Sequence, residues 1–189
     1  MKDWKSPIPR NIHLIWIGNL DYPDYFKLFL KTYREHLPEF TIKVWTNKEL
    51  TRRNFPKTFD YIKEAKKLQG KPMYDEYGEK MLDFQLNPLR YSKWAQITDL
   101  MRLEIIYNEG GYYFDTTFEI LRPMYNLLNK GKYTFVGCNE IPRFKNVEIL
   151  SNSFFGATPR NKILRRLLLK SRLNKINFYD MAVDFQTGP

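Results

Sequence analysis

Residues 94–119 read WAQITDLMRLEIIYNEGGYYFDTTFE, and this stretch decides the fold. Trp94, Ile97, Leu100, Met101 and Ile105 recur at helical spacing, with Leu103 and Ile106 widening the apolar stripe, until Gly110-Gly111 interrupts the pattern. The aromatic run that follows, as far as Asp115, has strand character. The stretch is therefore helix, sharp stop, strand. Asp99 and Arg102, at i and i+3, share one side of the predicted helix, and Gln96 lies one turn earlier. From residue 99 to 109 a helix advances about 15 Å. A strand from residue 111 to 115 returns about 13 Å. If the chain reverses at the glycines, Asp99, Arg102 and Asp115 meet as one charged site at the carboxyl end of a strand, where open α/β sheets commonly place ligands.

Working outward, residues 11–18 (NIHLIWIG) predict a buried first strand, residues 24–36 a helix stopped by Pro38, and residues 40–45 (FTIKVW) a second strand. Strand, helix, strand at the start of the chain predicts a mostly parallel α/β sheet of Rossmann type flanked by helices. The first turn carries neither GxGxxG nor a P-loop, so no dinucleotide or ATP-type phosphate cradle is expected. Residues 48–54 and 59–68 predict two short polar helices separated by Pro56, and residues 69–90 a variable excursion. Beyond residue 119, Leu127-Leu128 suggests a short helix, residues 133–137 (YTFVG) a short buried strand, and residues 147–155 a strand or hairpin. One domain spanning residues 1–189 is expected, with no internal repeat.

Composition bounds the function. The chain is 43% hydrophobic and 16% aromatic, which is globular, and no apolar run approaches the roughly 20 residues of a membrane span. The first residues lack a secretory apolar region, and a single cysteine, Cys138, forms no internal disulfide; a cytoplasmic chain is the simplest expectation. Cys138 itself reads as a small buried apolar residue. A net charge of +10 favours anionic partners. Nucleic acid is not the expected one, because no reading motif is present and the aromatics follow the apolar pattern rather than a basic stripe. Residues 160–175 hold seven basic residues and no acid, interleaved with Ile163, Leu164, Leu167, Leu168, Leu169 and Leu173. This amphipathic basic helix is either a solvated face on a core-packed helix or a docking face for an anionic membrane.

On an extended strand, Asp115, Thr117 and Glu119 face one side and offer carboxylate, hydroxyl and carboxylate. Such hard oxygen ligands suit Mg²⁺ or Mn²⁺ shared with a diphosphate. Spacing alone favours a turn-capping Asp115 and a solvated Glu119, and Asp99 with Arg102 is more often an ordinary surface pair. Their convergence between an apolar helix and an aromatic strand is what singles them out, because a buried ion pair there needs a purpose. His13 and His36 are the only histidines and are far apart, which excludes a zinc pattern; His13 in an apolar strand reads as a hydrogen-bonded structural residue.

Residues 8–18 (IPRNIHLIWIG), 98–102 (TDLMR), 107–115 (YNEGGYYFD) and 187–189 (TGP) resemble, in this order, glycosyltransferase family 32, the sugar transferases with a DXD motif. The Asp-x-x-Arg block with Gly-Gly-x-Tyr-x-Asp at this separation is the specific part. The resemblance implies a GT-A-like fold, a UDP- or GDP-sugar donor, a divalent metal (Mn²⁺ or Mg²⁺) and a surface-glycan or glycolipid acceptor, such as capsular polysaccharide or lipopolysaccharide in bacteria. It also implies retention of the anomeric configuration; the expected location is the cytoplasm, with peripheral association at the inner face of the membrane. Carried over by position, Asp99 and Arg102 hold donor-sugar hydroxyls, Asp115 opens the DXD motif, and Trp16 and Ile17 lie near the base. This sequence departs from the pattern at Thr117, where the family has its second aspartate. Three expectations follow: Glu119 substitutes, Asp115 suffices with water and diphosphate, or the protein binds sugar nucleotides without turning them over. The chain also stops at Pro189, where relatives continue into a segment closing the donor site, so C-terminal truncation is a further expectation.

Overall fold

The computed structural model describes residues 4–18, 21–68, 72–74, 80–83, 92–129, 131–140 and 149–170. Chain order is β1 (Asn11–Ile15), α1 (Asp24–His36), β2 (Thr41–Trp45), α2 (Pro56–Leu68), β3 (Pro72–Tyr74), β4 (Lys80–Asp83), α3 (Ser92–Glu109), β5 (Gly111–Phe114), α4 (Tyr125–Leu128), β6 (Phe135–Glu140), β7 (Ile149–Ala157) and α5 (Lys162–Lys170). The main sheet has the order β2-β1-β5-β7-β6, and β3 with β4 forms a separate antiparallel pair. Strands β2, β1 and β5 are parallel; β7 runs antiparallel between β5 and β6. This is the α/β sheet with a parallel half that the first 45 residues and the 94–119 stretch predict, in the GT-A-like arrangement that the family resemblance implies.

Alternation along the strands sorts side chains into two layers. Ile12, Leu14, Tyr112 and Phe114 face α1, where they pack on Phe26, Leu30 and Tyr33. Ile15, Trp45, Tyr113 and Phe155 pack on the other face with Ile97, Met101, Ile105 and Leu164. The central helix α3 is covered by the sheet on one side and by α2 and α5 on others, so it buries Asp99, Arg102 and Glu104 as well as its apolar stripe.

Buried Glu104 explains where α2 begins. Its carboxylate accepts the Lys57 and Thr58 backbone N–H groups at 2.9 and 2.8 Å and the Thr58 hydroxyl at 2.7 Å. These are N–H groups that the first turn of a helix leaves unpaired, and the carboxylate also meets the positive end of the helix dipole. Pro56 occupies the first helical position, where its fixed φ suits the helix and its missing N–H costs nothing. The expectation of two helices parted by Pro56 is corrected accordingly: residues 47–49 and 52–54 are turns, and Pro56 opens a helix.

Three further expectations change. Strand β5 ends at Phe114, because the Asp115 carbonyl accepts the Phe118 N–H at 3.0 Å and closes a turn. The row of Asp115, Thr117 and Glu119 on one strand face therefore does not form. The strand expected to be buried at residues 133–137 is an edge strand of the sheet, β6, whose Phe135 and Val136 are half-buried and whose Gly137 is exposed. Cys138 on the same strand is half-buried, its Sγ 3.9 Å from the Phe154 carbonyl, and not enclosed. Residues 147–148 and 171–175 of the expected strand and basic helix lie outside the described residues.

The reversal from α3 into β5 takes two residues in the left-handed region, Gly110 at φ +67° and Gly111 at φ +96°. A Cβ on Gly110 would stand 2.6 Å from the Pro159 ring, and one on Gly111 2.6 Å from the Asn11 carbonyl oxygen. His13 locks this turn to the sheet. Its Nδ1 accepts from the Trp45 indole N–H at 3.1 Å, which leaves Nε2–H to donate to the Gly110 carbonyl at 2.9 Å. Burial pushes the His13 pKa down to about 4, so the ring is neutral at pH 7. Gly111→Ala is expected to cost more than about 3 kcal/mol, since backbone strain of about 1–3 kcal/mol adds to a steric overlap that only main-chain movement relieves. Urea unfolding checks this, and a loss under about 1 kcal/mol would show that the turn has room to relax.

Candidate active site

The parallel register of β1 and β5, with Ile12 opposite Tyr112 and His13 opposite Tyr113, brings the carboxyl ends of both strands to one end of the sheet. Asp115 follows β5 there, and Trp16 and Ile17 follow β1. Helix α3 runs back along the sheet, so its earlier turns return to the same end. The three charged residues predicted to converge do so. Arg102 Nη2 lies 2.9 Å from Asp99 Oδ1, and Arg102 Nη1 lies 3.3 Å from Asp115 Oδ1. Asp99 and Arg102 are buried, and Asp115 retains 33% side-chain exposure. The cluster thus has a dry end and a wet end.

Strand β7 supplies the remaining contacts. Arg102 Nη1 donates to the Asn152 carbonyl at 2.8 Å and to Asn152 Oδ1 at 3.0 Å. The Asn152 side-chain amide in turn donates to Asp99 Oδ1 at 3.1 Å. Arg102 Nε donates to the Thr98 carbonyl at 3.3 Å. The guanidinium carbon sits 4.6 Å from the centroid of the Tyr113 ring, and the Tyr113 hydroxyl donates to Asp115 Oδ1 at 2.5 Å. Tyr113 reaches both partners because residues 113 and 115, two apart, keep to the α3 side of the sheet. Neither Tyr113 nor Asn152 is among the sequence candidates. Strand alternation relative to Asp115 is a signal that would have found Tyr113. Asn152 has no comparable local signal, since it depends on how a strand 50 residues from Arg102 pairs.

Electrostatics follow from two carboxylates sharing one guanidinium. Burial raises the Asp99 pKa to about 7; the Arg102 charge and the Asn152 hydrogen bond oppose the rise, and Asp115 adds to it. Burial works against the Arg102 charge, but Tyr113, Asp99 and Asp115 together hold its pKa above the ordinary value. Asp99 Oδ2 is buried and has no hydrogen-bond partner among the described residues. An unpaired buried carboxylate oxygen beside a partly open site is an acceptor awaiting a donor, and a ligand hydroxyl fits that need.

The other predicted residues are placed as follows. Trp16 is half-buried, stacks on Phe26 at 5.5 Å and 21°, and meets Tyr22 edge-on at 6.0 Å. Its backbone N–H continues the pairing with β2 through the Trp45 carbonyl at 2.8 Å. Gly18 is tied to the loop after β2 by paired hydrogen bonds with the Asn47 side chain, at 2.9 and 2.5 Å. Thr117 and Glu119 are exposed on the turn beyond Asp115. Among the described residues no group of three His, Cys, Asp or Glu side chains could hold a metal by itself. At the wet end Asp115 Oδ2, which makes no hydrogen bond or ion pair with a described residue, fits one ligand position of a hard divalent cation that completes its shell with phosphate and water.

The family described as "Glycosyltransferase sugar-binding region containing DXD motif" matches residues 23–134, more than half of the chain, and the chain belongs to that family. Among solved structures, the PaToxG glycosyltransferase is similar in fold, with a TM-score of 0.53 and 20% sequence identity over 96% of this chain and 68% of that one. No curated protein matches the chain.

The raised Asp99 pKa has a signed consequence for stability. A carboxyl whose folded pKa lies above its unfolded value contributes stability that is fully present below about pH 4 and is lost as pH rises through about 7. The thermal midpoint should therefore carry a downward component between pH 4 and 7 that Asp99→Asn removes. Identical slopes in the two proteins would mean that Asp99 ionises as an ordinary carboxylate.

Proposed function

We propose that this chain is a family 32 glycosyltransferase, a single domain that moves a sugar from a UDP- or GDP-sugar to a surface-glycan or glycolipid acceptor with retention of configuration. The observation that carries this reading is the buried Asp99–Arg102 pair beside half-open Asp115, with Asp99 Oδ2 unpartnered at the carboxyl end of β5. In this reading Asp99 accepts hydrogen bonds from donor-sugar hydroxyls. Arg102 opposes the burial-driven rise of the Asp99 pKa and adds positive charge near the leaving diphosphate. Asp115 would hold Mn²⁺ or Mg²⁺ through Oδ2, with Thr117 and Glu119 near enough in sequence to add a direct or water-bridged oxygen. A bound divalent ion would supply charge neutralisation for the departing diphosphate. Trp16 and Ile17 would border the base. The membrane's cytoplasmic face, where acceptors carried on lipid can be reached, is the proposed place of work.

Thr117 favours a second reading. A neutral hydroxyl replaces the family's second aspartate, and Arg102 competes for one oxygen of the first. The chain would then bind sugar nucleotides without transfer. Release of nucleotide diphosphate from UDP- and GDP-sugars in Mn²⁺ separates the two. Wild-type hydrolysis should fall about 100-fold or more in Asp115→Ala, whereas unchanged turnover in that variant would remove Asp115 from the mechanism. Calorimetric binding of UDP or GDP that ignores Mn²⁺, with no hydrolysis, would establish the binding-only reading. Thr117→Asp should strengthen Mn²⁺ dependence on the order of tenfold; a variant with the wild-type Mn²⁺ midpoint would mean that residue 117 does not face the metal.

A further inference from the structure

Helix α5 has more apolar surface than its packing uses. Leu164 and Leu168, one turn apart, are buried on the α3 side. Ile163 and Leu167, the neighbouring pair one turn apart, are 47% and 41% exposed, and Leu169 on the opposite flank is 49% exposed. Between those flanks, on the side away from the core, lie Lys162 and Arg166, again one turn apart, with Arg165 beside Leu169; all three are exposed. None of these three cations makes an ion pair with a described residue, and the sequence from residue 149 to 170 contains no acid. Packing against the core accounts for Leu164 and Leu168 and leaves the other apolar side chains unexplained.

We infer that α5 is a docking face for anionic lipid bilayers, its cations meeting phosphate headgroups while Ile163, Leu167 and Leu169 enter the apolar boundary. The two features together select this partner. A polyanion such as nucleic acid would use the cations but gain nothing from exposed leucines, and α5 offers no aromatic ring for base stacking. An uncharged apolar partner would gain nothing from three unpaired cations. A bilayer with acidic headgroups satisfies both at once, and the chain's net charge of +10 adds long-range attraction. Helix α5 packs beside α3, the helix that carries Asp99 and Arg102. Docking through it would hold the site close to a membrane-borne acceptor. The inference rests on the exposed face of α5 and stands whether or not the site transfers sugar.

Flotation of the 189-residue chain with vesicles tests it without reference to turnover. The vesicles are phosphatidylcholine alone, or phosphatidylcholine with about one third phosphatidylglycerol. Binding is expected only to the anionic vesicles. The triple change Lys162→Gln, Arg165→Gln, Arg166→Gln should weaken it about 100-fold, since each basic residue near such a surface contributes about fivefold. The triple change Ile163→Ser, Leu167→Ser, Leu169→Ser, which leaves every charge in place, should also weaken it at least tenfold. All six positions are exposed, and circular dichroism with a thermal midpoint verifies that both variants fold. Absence of binding to anionic vesicles, or binding that either triple variant retains in full, overturns the inference. So does a vesicle-indifferent chain whose self-association, or whose affinity for an oligonucleotide, is lost in the same variants.

Discussion

A guanidinium buried between a helix and a sheet has to be surrounded by acceptors, and the Arg102 charge organises one end of this molecule. Leaving such a charge unpaired away from water would cost several kcal/mol. The fold brings acceptors from three directions: Asp99 and the Thr98 carbonyl from its own helix, Asn152 from the antiparallel strand β7, and Asp115 from the end of β5. Tyr113 closes the remaining side with its ring face. Burial raises the pKa of Asp99, the more enclosed of the two carboxyl groups, and the second carboxylate, Asp115, adds to the rise. The site is thereby biased toward ligands that bring hydroxyl donors to its dry end and positive charge to its wet end.

Much of this was legible in the sequence because it is encoded locally. The i, i+3 spacing of Asp99 and Arg102 and the two glycines that permit a reversal predict the meeting with Asp115. The β-branched first strand, the helix stopped before Pro38 and the second strand predict the parallel half of the sheet. Histidine 13, read as structural, is so: it is neutral and fully engaged. What escaped is what depends on partners remote in sequence. Glu104 sits 46 residues from the hydroxyl it accepts, and no rule of helix capping looks that far. Asn152 becomes part of the site only because β7 inserts antiparallel between β5 and β6.

The turn after Phe114 is the instructive miss. The residues past Asp115 favour a continued strand, yet the Asp115 N–H pairs with the Ser153 carbonyl at 2.8 Å while its own carbonyl closes on Phe118. The strand edge and the turn meet within one residue. That placement lets one Asp115 carboxylate oxygen be gripped by Tyr113 and Arg102 while the other stays available. A continued strand would have held the carboxylate in a regular ladder and put Thr117 beside it.

The hydrogen bond between His13 and the Gly110 carbonyl joins groups 97 residues apart, and β1 pairs with β5 across a similar span. The first strand–helix–strand unit can assemble early from local contacts, but its inner edge stays open until α3 and β5 arrive. A chain emerging from the ribosome therefore carries an apolar strand with unpaired N–H and C=O groups while the intervening residues are made. Contact order, rather than core size, is then expected to set the pace of folding. The same long-range closure that assembles the site makes the half-finished chain the form most exposed to aggregation.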